Sequence, residues 1–167
     1  MSDQGGLTTG KLVRGAAAGL VAGITASFVM DRFQAALGAL SSSATDQDEP
    51  ATEKATDGIA RALTGTAVAG GNKALAGQAI HYALGAALGI VYGVTAELRP
   101  SVTTGFGTAF GLGTATLLDE IAVPLSGVGK PPWQAGLSGN LYSYASHLVF
   151  GGATELVRRH VRATLDK

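Results

Sequence analysis

The sequence predicts an all-α integral membrane protein: a four-helix bundle of tightly packed, glycine- and alanine-rich helices with a short amphipathic helix between spans one and two. Charged residues are only 14% of the 167 residues, well below the roughly 25% usual in soluble domains. Glycine occurs 25 times, about twice its usual share of roughly 7%. Small residues recur at every fourth position in four apolar segments, and each stripe contains or ends in an ionisable residue.

These stripes predict close contacts between helices. Positions four apart lie on one face of an α-helix, and small residues there let membrane helices approach closely. The predicted packing positions are Gly15, Gly19, Gly23, Gly85, Gly89, Gly93, Gly107, Gly111 and Gly151. Ionisable groups inside a membrane usually face the bundle interior. The stripes therefore also predict an intramembrane polar cluster of Asp31, His81, Asp119, Glu120 and His147.

The first span is predicted at about residues 12–37, after a polar tail over residues 1–10. Its uninterrupted apolar part, 15–30, is short for the roughly 20 residues that cross a bilayer. Arg14 and Arg32 can extend it by reaching the headgroup region. A signal peptide is the alternative interpretation, because Lys11 and Arg14 precede the apolar run and small residues follow at 35–39.

A polar outer loop and an interfacial helix are predicted over residues 41–72. Asp48 and Pro50 suit the start of a helix, and a mildly amphipathic helix is expected over 51–64. That segment is too polar to span a membrane, so we expect it at the membrane interface. Gly70 and Gly71 are expected to end it.

Three further spans are predicted at about 75–97, 102–123 and 139–158, so that residues 1–167 form a single membrane domain. A tight turn around Pro100 separates the second and third spans, and a turn-rich loop over 124–138 separates the third and fourth. A basic tail follows the last span. The even number of spans places both termini on one side, and the distribution of lysine and arginine favours the cytoplasm.

Three interpretations of the polar cluster stay open at this stage. The histidines and carboxylates could hydrogen-bond across helices and fix their register. They could bind a metal such as zinc or iron, or a haem held by His81 and His147, although no HxxxH or ExxH spacing is present. They could relay protons or bind a small polar solute. A soluble helical bundle is the alternative to a membrane protein, and the absence of a polar face over 80–96 weighs against it.

Several function classes are excluded or disfavoured. The chain has no cysteine and a formal net charge of zero, which excludes thiolate chemistry and gives no basic excess for nucleic acid. The glycines at 105, 107 and 111 lack the βαβ context or Walker lysine of a nucleotide site. The serines at 41–43 lack a nucleophile elbow. We therefore expect no enzymatic activity. Glu155 is expected to pair with Arg159, four residues later.

Short motifs along the chain resemble those of the YagU-like family of bacterial inner-membrane proteins. They are His81-Tyr82, Gly85, Gly89, Tyr92-Gly93, Ala96-Glu97 and Pro100, then Pro124 and Pro131-Pro132, then Ser146-His147-Leu148-Val149, Glu155 and Arg158-Arg159, together with the first segment, Arg14 to Val29. Asp119 and Glu120 are not part of this pattern. The resemblance implies a multi-pass protein of the bacterial inner membrane and implies no reaction.

The functional expectation is a small, non-enzymatic inner-membrane component. Such a protein would contact the lipid bilayer and pack through its glycine faces with a second copy or with a partner in a membrane complex. Two alternatives stay open: a small transporter or proton-handling protein that uses the polar cluster, and a metal- or haem-binding membrane protein.

Overall fold

The computed structural model describes residues 9–40, 51–127 and 130–167, and this part of the chain contains helices and no strand. The helices are α1 (Thr9–Leu40), α2 (Ala51–Thr64), α3 (Lys73–Leu98), α4 (Thr108–Ala115), a π-helix (Thr116–Ala122), α5 (Val123–Leu125) and α6 (Pro132–Leu165), with 3₁₀ turns at Gly70–Asn72 and Pro100–Thr103. The predicted all-α class is confirmed. The expected Asp48 cap, the loop at 41–50 and most of the N-terminal tail lie outside the described residues.

Helix α1 occupies the centre of the arrangement. It packs against α3 on one side and α6 on another, while α4 packs on α6 and α2 packs on α3. Helices α3 and α4 are not extensively packed, although the rings of Tyr92 and Phe110 stack between them with centroids 4.4 Å apart. The four long segments therefore pack in the order α3–α1–α6–α4. Helices α3 and α4, at the two ends of this series, approach each other only loosely.

The contact between α1 and α3 is made by backbone against backbone. A methyl group added to Gly19 would meet the carbonyl oxygen of Gly89, and one added to Gly23 would meet that of Gly85. The third pair is Gly15 with Gly93. A methyl group added to Gly93 would meet the carbonyl oxygen of Gly15. Because glycine alone has no Cβ, this antiparallel register requires glycine on both helices.

A second contact of the same kind joins α4 to α6. A Cβ at Gly111 would meet the carbonyl oxygen of His147, and Gly107 and Gly151 each face the other's carbonyl oxygen. The predicted packing glycines thus lie at two helix contacts within one chain. Glycines that are used in this way offer no free face to another protein.

Helix α1 carries a second stripe of small residues, made of alanines, beside the glycine stripe. Spacing in the sequence did not identify this stripe. Ala18, Ala22 and Ala26 are fully buried, and Met30 continues the stripe. Ala26 and Met30 pack with Phe150 of α6. Two faces of α1, one of glycine and one of alanine, therefore explain why this helix has two close neighbours.

Polar side chains are buried and large apolar side chains are exposed. The largest side chains with no accessible surface are Glu155, Thr154, Ser27 and Ser146. Exposed large apolar residues occur along the helices, for example Leu20, Val21, Ile24 and Phe28 on α1 and Leu84 and Val91 on α3. Soluble proteins normally show the opposite preference. Within the described residues, Thr9–Leu40 and Gly70–Leu98 are long and apolar enough to cross a membrane.

The helix in the region of the predicted third span starts later than the expected residue 102. Gly105, Phe106 and Gly107 have φ values of 76°, 55° and 80°, which a right-handed helix cannot accommodate. Helical structure begins at Thr108 and continues through the π-helix to Leu125. Pro124 does not stop it, because proline is tolerated in the first turn of a helix such as α5.

Two other expected boundaries also differ. The helix predicted over 51–64 is confirmed, but Gly65, not Gly70, ends it: Gly65 adopts φ 75° and its N–H donates to the Arg61 carbonyl at 3.0 Å. Helix α6 begins at Pro132 rather than near 139, because proline suits a first helical turn. It bends at Gly136, whose φ of 72° and ψ of 166° are not helical.

Candidate functional site: a cavity with two histidine–aspartate pairs

Four of the five residues predicted to form the polar cluster line one cavity of about 610 Å³. The cavity lies at the end of the bundle where α1 finishes and α3 begins, in the opening between α3 and the α4–α5 segment. Asp31 comes from α1, His81 from α3, Asp119 from the π-helix and His147 from α6. The volume is in the range of small-molecule sites, roughly 300–1,000 Å³.

The first pair is Asp31 with His81. Asp31 Oδ2 accepts hydrogen bonds from Gln78 Nε2 at 2.7 Å and from the Tyr82 hydroxyl at 3.0 Å. His81 Nε2 lies 3.2 Å from Asp31 Oδ1, and the imidazole and carboxylate side chains are 25% and 18% exposed. Two neutral donors therefore fix the carboxylate, while one edge of it stays directed at the imidazole.

The second pair is Asp119 with His147. Asp119 Oδ2 accepts a hydrogen bond from Ser143 Oγ at 2.5 Å and lies 3.5 Å from His147 Nδ1. That nitrogen is also 3.1 Å from the Ser143 carbonyl oxygen, one helical turn earlier. Asp119 is placed here by a π-helical segment, a local widening that often occurs at functional sites.

The two pairs have equivalent positions relative to the two glycine contacts. Asp31 follows Gly23 by eight residues, and Asp119 follows Gly111 by the same interval. At about 1.5 Å of rise per residue, each aspartate lies about 12 Å beyond its glycine. The glycine registers therefore bring both carboxylates to the same end of the bundle.

The cavity lining carries negative charge and apolar walls. Glu53 of α2 adds a third carboxylate, and among the described lining residues there is neither lysine nor arginine. The larger apolar side chains of the wall are Met30, Ile80, Leu84, Leu88, Leu118, Val123 and Phe150. Ser27 also lines the cavity, and its fully buried hydroxyl has no hydrogen-bond partner within the described part of the chain.

Glu120, the fifth predicted member of the cluster, is not among the residues that line this cavity. Glu120 points about 100° away from Asp119 around the helix. Within residues 9–40, 51–127 and 130–167, no three histidine, aspartate or glutamate side chains are arranged to hold a metal ion. His81 and His147 each face their own aspartate, and this donor set does not fit a shared metal centre.

Helix α2 forms one wall of the cavity and is tied to the start of α3. Asp57 Oδ2 lies 2.6 Å from Lys73 Nζ, and Asp57 Oδ1 accepts the Val68 N–H at 3.2 Å. The hydrogen bond from Lys73 lowers the pKa of Asp57 below its ordinary value of 3.8. This ion pair holds the helix that carries Glu53 against α3.

Ion pairs close the opposite end of the bundle. The fully buried Glu155 accepts hydrogen bonds from Arg158 at 2.7 and 2.9 Å, from Arg159 at 2.5 Å and from the Tyr92 hydroxyl at 2.9 Å. The predicted Glu155–Arg159 pair is confirmed. Arg158 and Tyr92 were missed, although the spacing of three residues also places Arg158 on the face of Glu155.

A second bridge at this end joins α3 to α6. Arg162 Nε donates to Glu97 at 2.5 Å, and its terminal nitrogen donates to the other carboxylate oxygen at 3.2 Å. Arg162 also pairs with Asp166, which in turn lies 3.9 Å from Arg14 of α1. The C-terminal part of α6 is thus bound to both α1 and α3.

These features define a helical protein whose apolar surfaces face outward and whose polar groups gather inside the bundle. The chain belongs to the family described as "Protein of unknown function (DUF1440)", whose sequence model matches residues 43–156. The expected membership of an uncharacterised family is confirmed, and Asp31 lies outside the matched segment. No curated protein and no solved structure matches the chain.

Proposed function

We propose that this chain is a non-enzymatic protein of the bacterial inner membrane that binds a small polar solute and protons in its cavity. In this proposal the four long helical segments cross the bilayer, both termini are cytoplasmic and the cavity opens to the opposite side. The single observation that carries the proposal is that two histidine–aspartate contacts line one cavity. Ionisable residues within membrane segments mark proton and substrate pathways.

The chemistry of each pair suits proton exchange. Histidine is the side chain that changes charge most readily between pH 5 and 8, and a neighbouring carboxylate stabilises the protonated imidazole. Asp31 and Asp119 supply that carboxylate for His81 and His147. A proton that is taken up by either imidazole is therefore balanced by the charge of the adjacent carboxylate.

The two ends of the bundle differ in a way that supports one-sided access. The cavity occupies one end, whereas Glu155 and its arginines fill the other. A solute that enters the cavity meets packed helices and ion pairs beyond it. Such a state, open on one side and closed on the other, is the starting point of transport by alternating access.

The geometry does not favour an enzyme. Asp119, His147 and Ser143 are the residue types of a catalytic triad, in which serine donates to the imidazole. Here the Ser143 hydroxyl donates to Asp119 instead, and His147 Nδ1 lies next to the Ser143 backbone carbonyl. Neither contact activates the hydroxyl as a nucleophile.

If the protein instead served as an accessory subunit of a membrane complex, it would bind its partner through a surface other than the glycine faces, because those glycines pack within the chain. The exposed apolar side chains then contact lipid in the proposed protein. A homo-oligomer or a membrane partner would use part of that same apolar surface, and crosslinking in native membranes would detect either one.

Proton flux in liposomes tests the proposed function. Purified protein is reconstituted, a membrane potential is imposed with valinomycin, and internal pH is followed with a trapped dye. We expect flux that falls several-fold in His81→Gln and His147→Gln. The matched control is His160→Gln, which removes the remaining histidine, on the exposed C-terminal part of α6. Flux that is equal in all three variants, or equal to that of empty liposomes, would refute the proposal.

The number of spans is tested separately. Because the chain has no cysteine, single cysteines at Ser101, Ser126 and Lys167 can be labelled selectively from each side of the membrane. Four spans predict external labelling at Ser126 and internal labelling at the other two positions. Internal labelling at all three would limit the spans to α1 and α3.

A further inference from the structure

We propose that the solute of this cavity is a small organic cation with an ammonium group and an apolar body. This inference rests on the proposed solute-binding function and names its ligand class. Three carboxylates, from Asp31, Glu53 and Asp119, line the cavity, and no described lysine or arginine lines it. An anion would meet only like charges there, whereas a cation gains attraction from all three.

The carboxylates are oriented before any ligand arrives. Gln78 and Tyr82 hold Asp31, and Ser143 holds Asp119. All of these donors are uncharged, so they position the carboxylates without neutralising them. Arg32, the nearest arginine in sequence to Asp31, has its guanidinium over the Phe28 ring, 5.3 Å from the centroid. The donors that hold these carboxylates therefore leave their negative charge in place.

The walls and the volume favour an organic cation over a metal ion. Apolar side chains from α1, α3, the π-helix and α6 surround the carboxylates, and the cavity of about 610 Å³ is far larger than one ion requires. The described residues supply no group of three metal ligands. An alkyl or aryl body would fill the apolar part of the space, where its burial contributes roughly 25 cal/mol per Å².

Protons and the cation compete for the same carboxylates. The titratable groups around the cavity are Asp31 of α1, Glu53 of α2, His81 and Tyr82 of α3, Asp119 of the π-helix and His147 of α6. A protonated imidazole would neutralise its aspartate and weaken the attraction of the site for a cation.

Three probes of similar length isolate the effect of ligand charge on binding, and two further cations test the effects of size and chemistry. Isothermal titration calorimetry of the full chain in nanodiscs at pH 8 compares n-butylammonium, n-butanol and n-butyrate, with benzyltrimethylammonium as a larger cation and Mg²⁺ as an inorganic one. We expect the organic cations to bind at least about tenfold more tightly than butanol, as a charge-assisted contact does. We expect butyrate not to bind. Butyrate binding as tightly as butylammonium, or Mg²⁺ binding more tightly than both organic cations, would overturn the inference.

Adjacent carboxylates provide the matched variants. Asp119→Asn removes a charge from the cavity, whereas Glu120→Gln removes one from the next residue, which does not line it. We expect Asp119→Asn to weaken butylammonium binding about tenfold and Glu120→Gln to leave it unchanged. Equal effects of the two variants would overturn the assignment.

The proton assay completes the test. If proton flux depends on His81 but no organic cation binds, the cation inference fails and the proposed function stands. If neither flux nor binding is observed, both fail.

Discussion

Replacing Gly89 with alanine tests whether the close contact between α1 and α3 limits the stability of the protein. A Cβ at position 89 would lie 2.8 Å from both the Cα and the backbone nitrogen of Gly23, and it would also meet the carbonyl oxygen of Gly19. All three are backbone atoms, so no rotation of a side chain can relieve the overlap. The helices themselves must separate.

The size of the effect follows from these distances. Ordinary contact begins at 3.4 Å, so the backbones must move apart by at least about 0.6 Å to clear Gly23, and further to clear the nearer carbonyl oxygen of Gly19. Overpacking of a close contact costs roughly 1–3 kcal/mol, and the higher helix propensity of alanine offsets at most about 1 kcal/mol. We expect Gly89→Ala to lower the free energy of unfolding by about 1–2 kcal/mol.

The assay is equilibrium unfolding in mixed micelles of dodecyl maltoside and SDS, followed by far-ultraviolet circular dichroism. Gly113→Ala is the matched control, because a Cβ there meets no described atom within 4 Å. That variant is expected to gain up to about 1 kcal/mol from helix propensity. If Gly89→Ala proved as stable as Gly113→Ala, the close approach of α1 and α3 would be refuted.

Three further predictions follow. Glu155→Gln leaves the buried Arg158 without its charge partner and should lower stability by about 3–5 kcal/mol, measured by the same unfolding experiment; a loss below about 1 kcal/mol would contradict the buried network. The pKa of Asp57 is lowered by Lys73, so the stability from this pair is fully present above pH 3.8 and is lost as pH falls below that value. The protection of α2 amides, corrected for their intrinsic exchange rates, should therefore fall below about pH 4 in the wild type more than in Asp57→Asn, and identical pH profiles would argue against the pair. Gly136→Ala should cost about 1–3 kcal/mol, because alanine is strained at φ 72°; an unchanged or raised stability would show that the bend does not need glycine.

Spacing in the sequence predicted the helical class, and the structure places the predicted glycines at helix contacts and four of the five predicted polar residues at the cavity. Glu53, which also lines the cavity, was missed. The period of four residues identifies the face of each helix, and Asp31 and Asp119 continue the faces of Gly23 and Gly111. A face does not specify its partner, however. The pairing of α1 with α3, and of α4 with α6, is seen only in the structure, where the backbones of these helices come into close contact.

The irregular positions could not be predicted because glycine in a turn and glycine in a helix look alike in a sequence. Gly107 belongs to a regular stripe, yet it has a positive φ and precedes α4. Gly136 lies within α6 and bends it. The alanine face of α1 was missed for a related reason: alanine is common throughout the chain, so Ala18, Ala22 and Ala26 did not stand out.

The central position of α1 has a consequence for biosynthesis. Helix α1 is synthesised before both of its neighbours, so its two small-residue faces must wait for α3 and then for α6. Until α6 arrives, the alanine face lacks its final surroundings. Chains that are interrupted before residue 132 therefore retain an incomplete α1 surface.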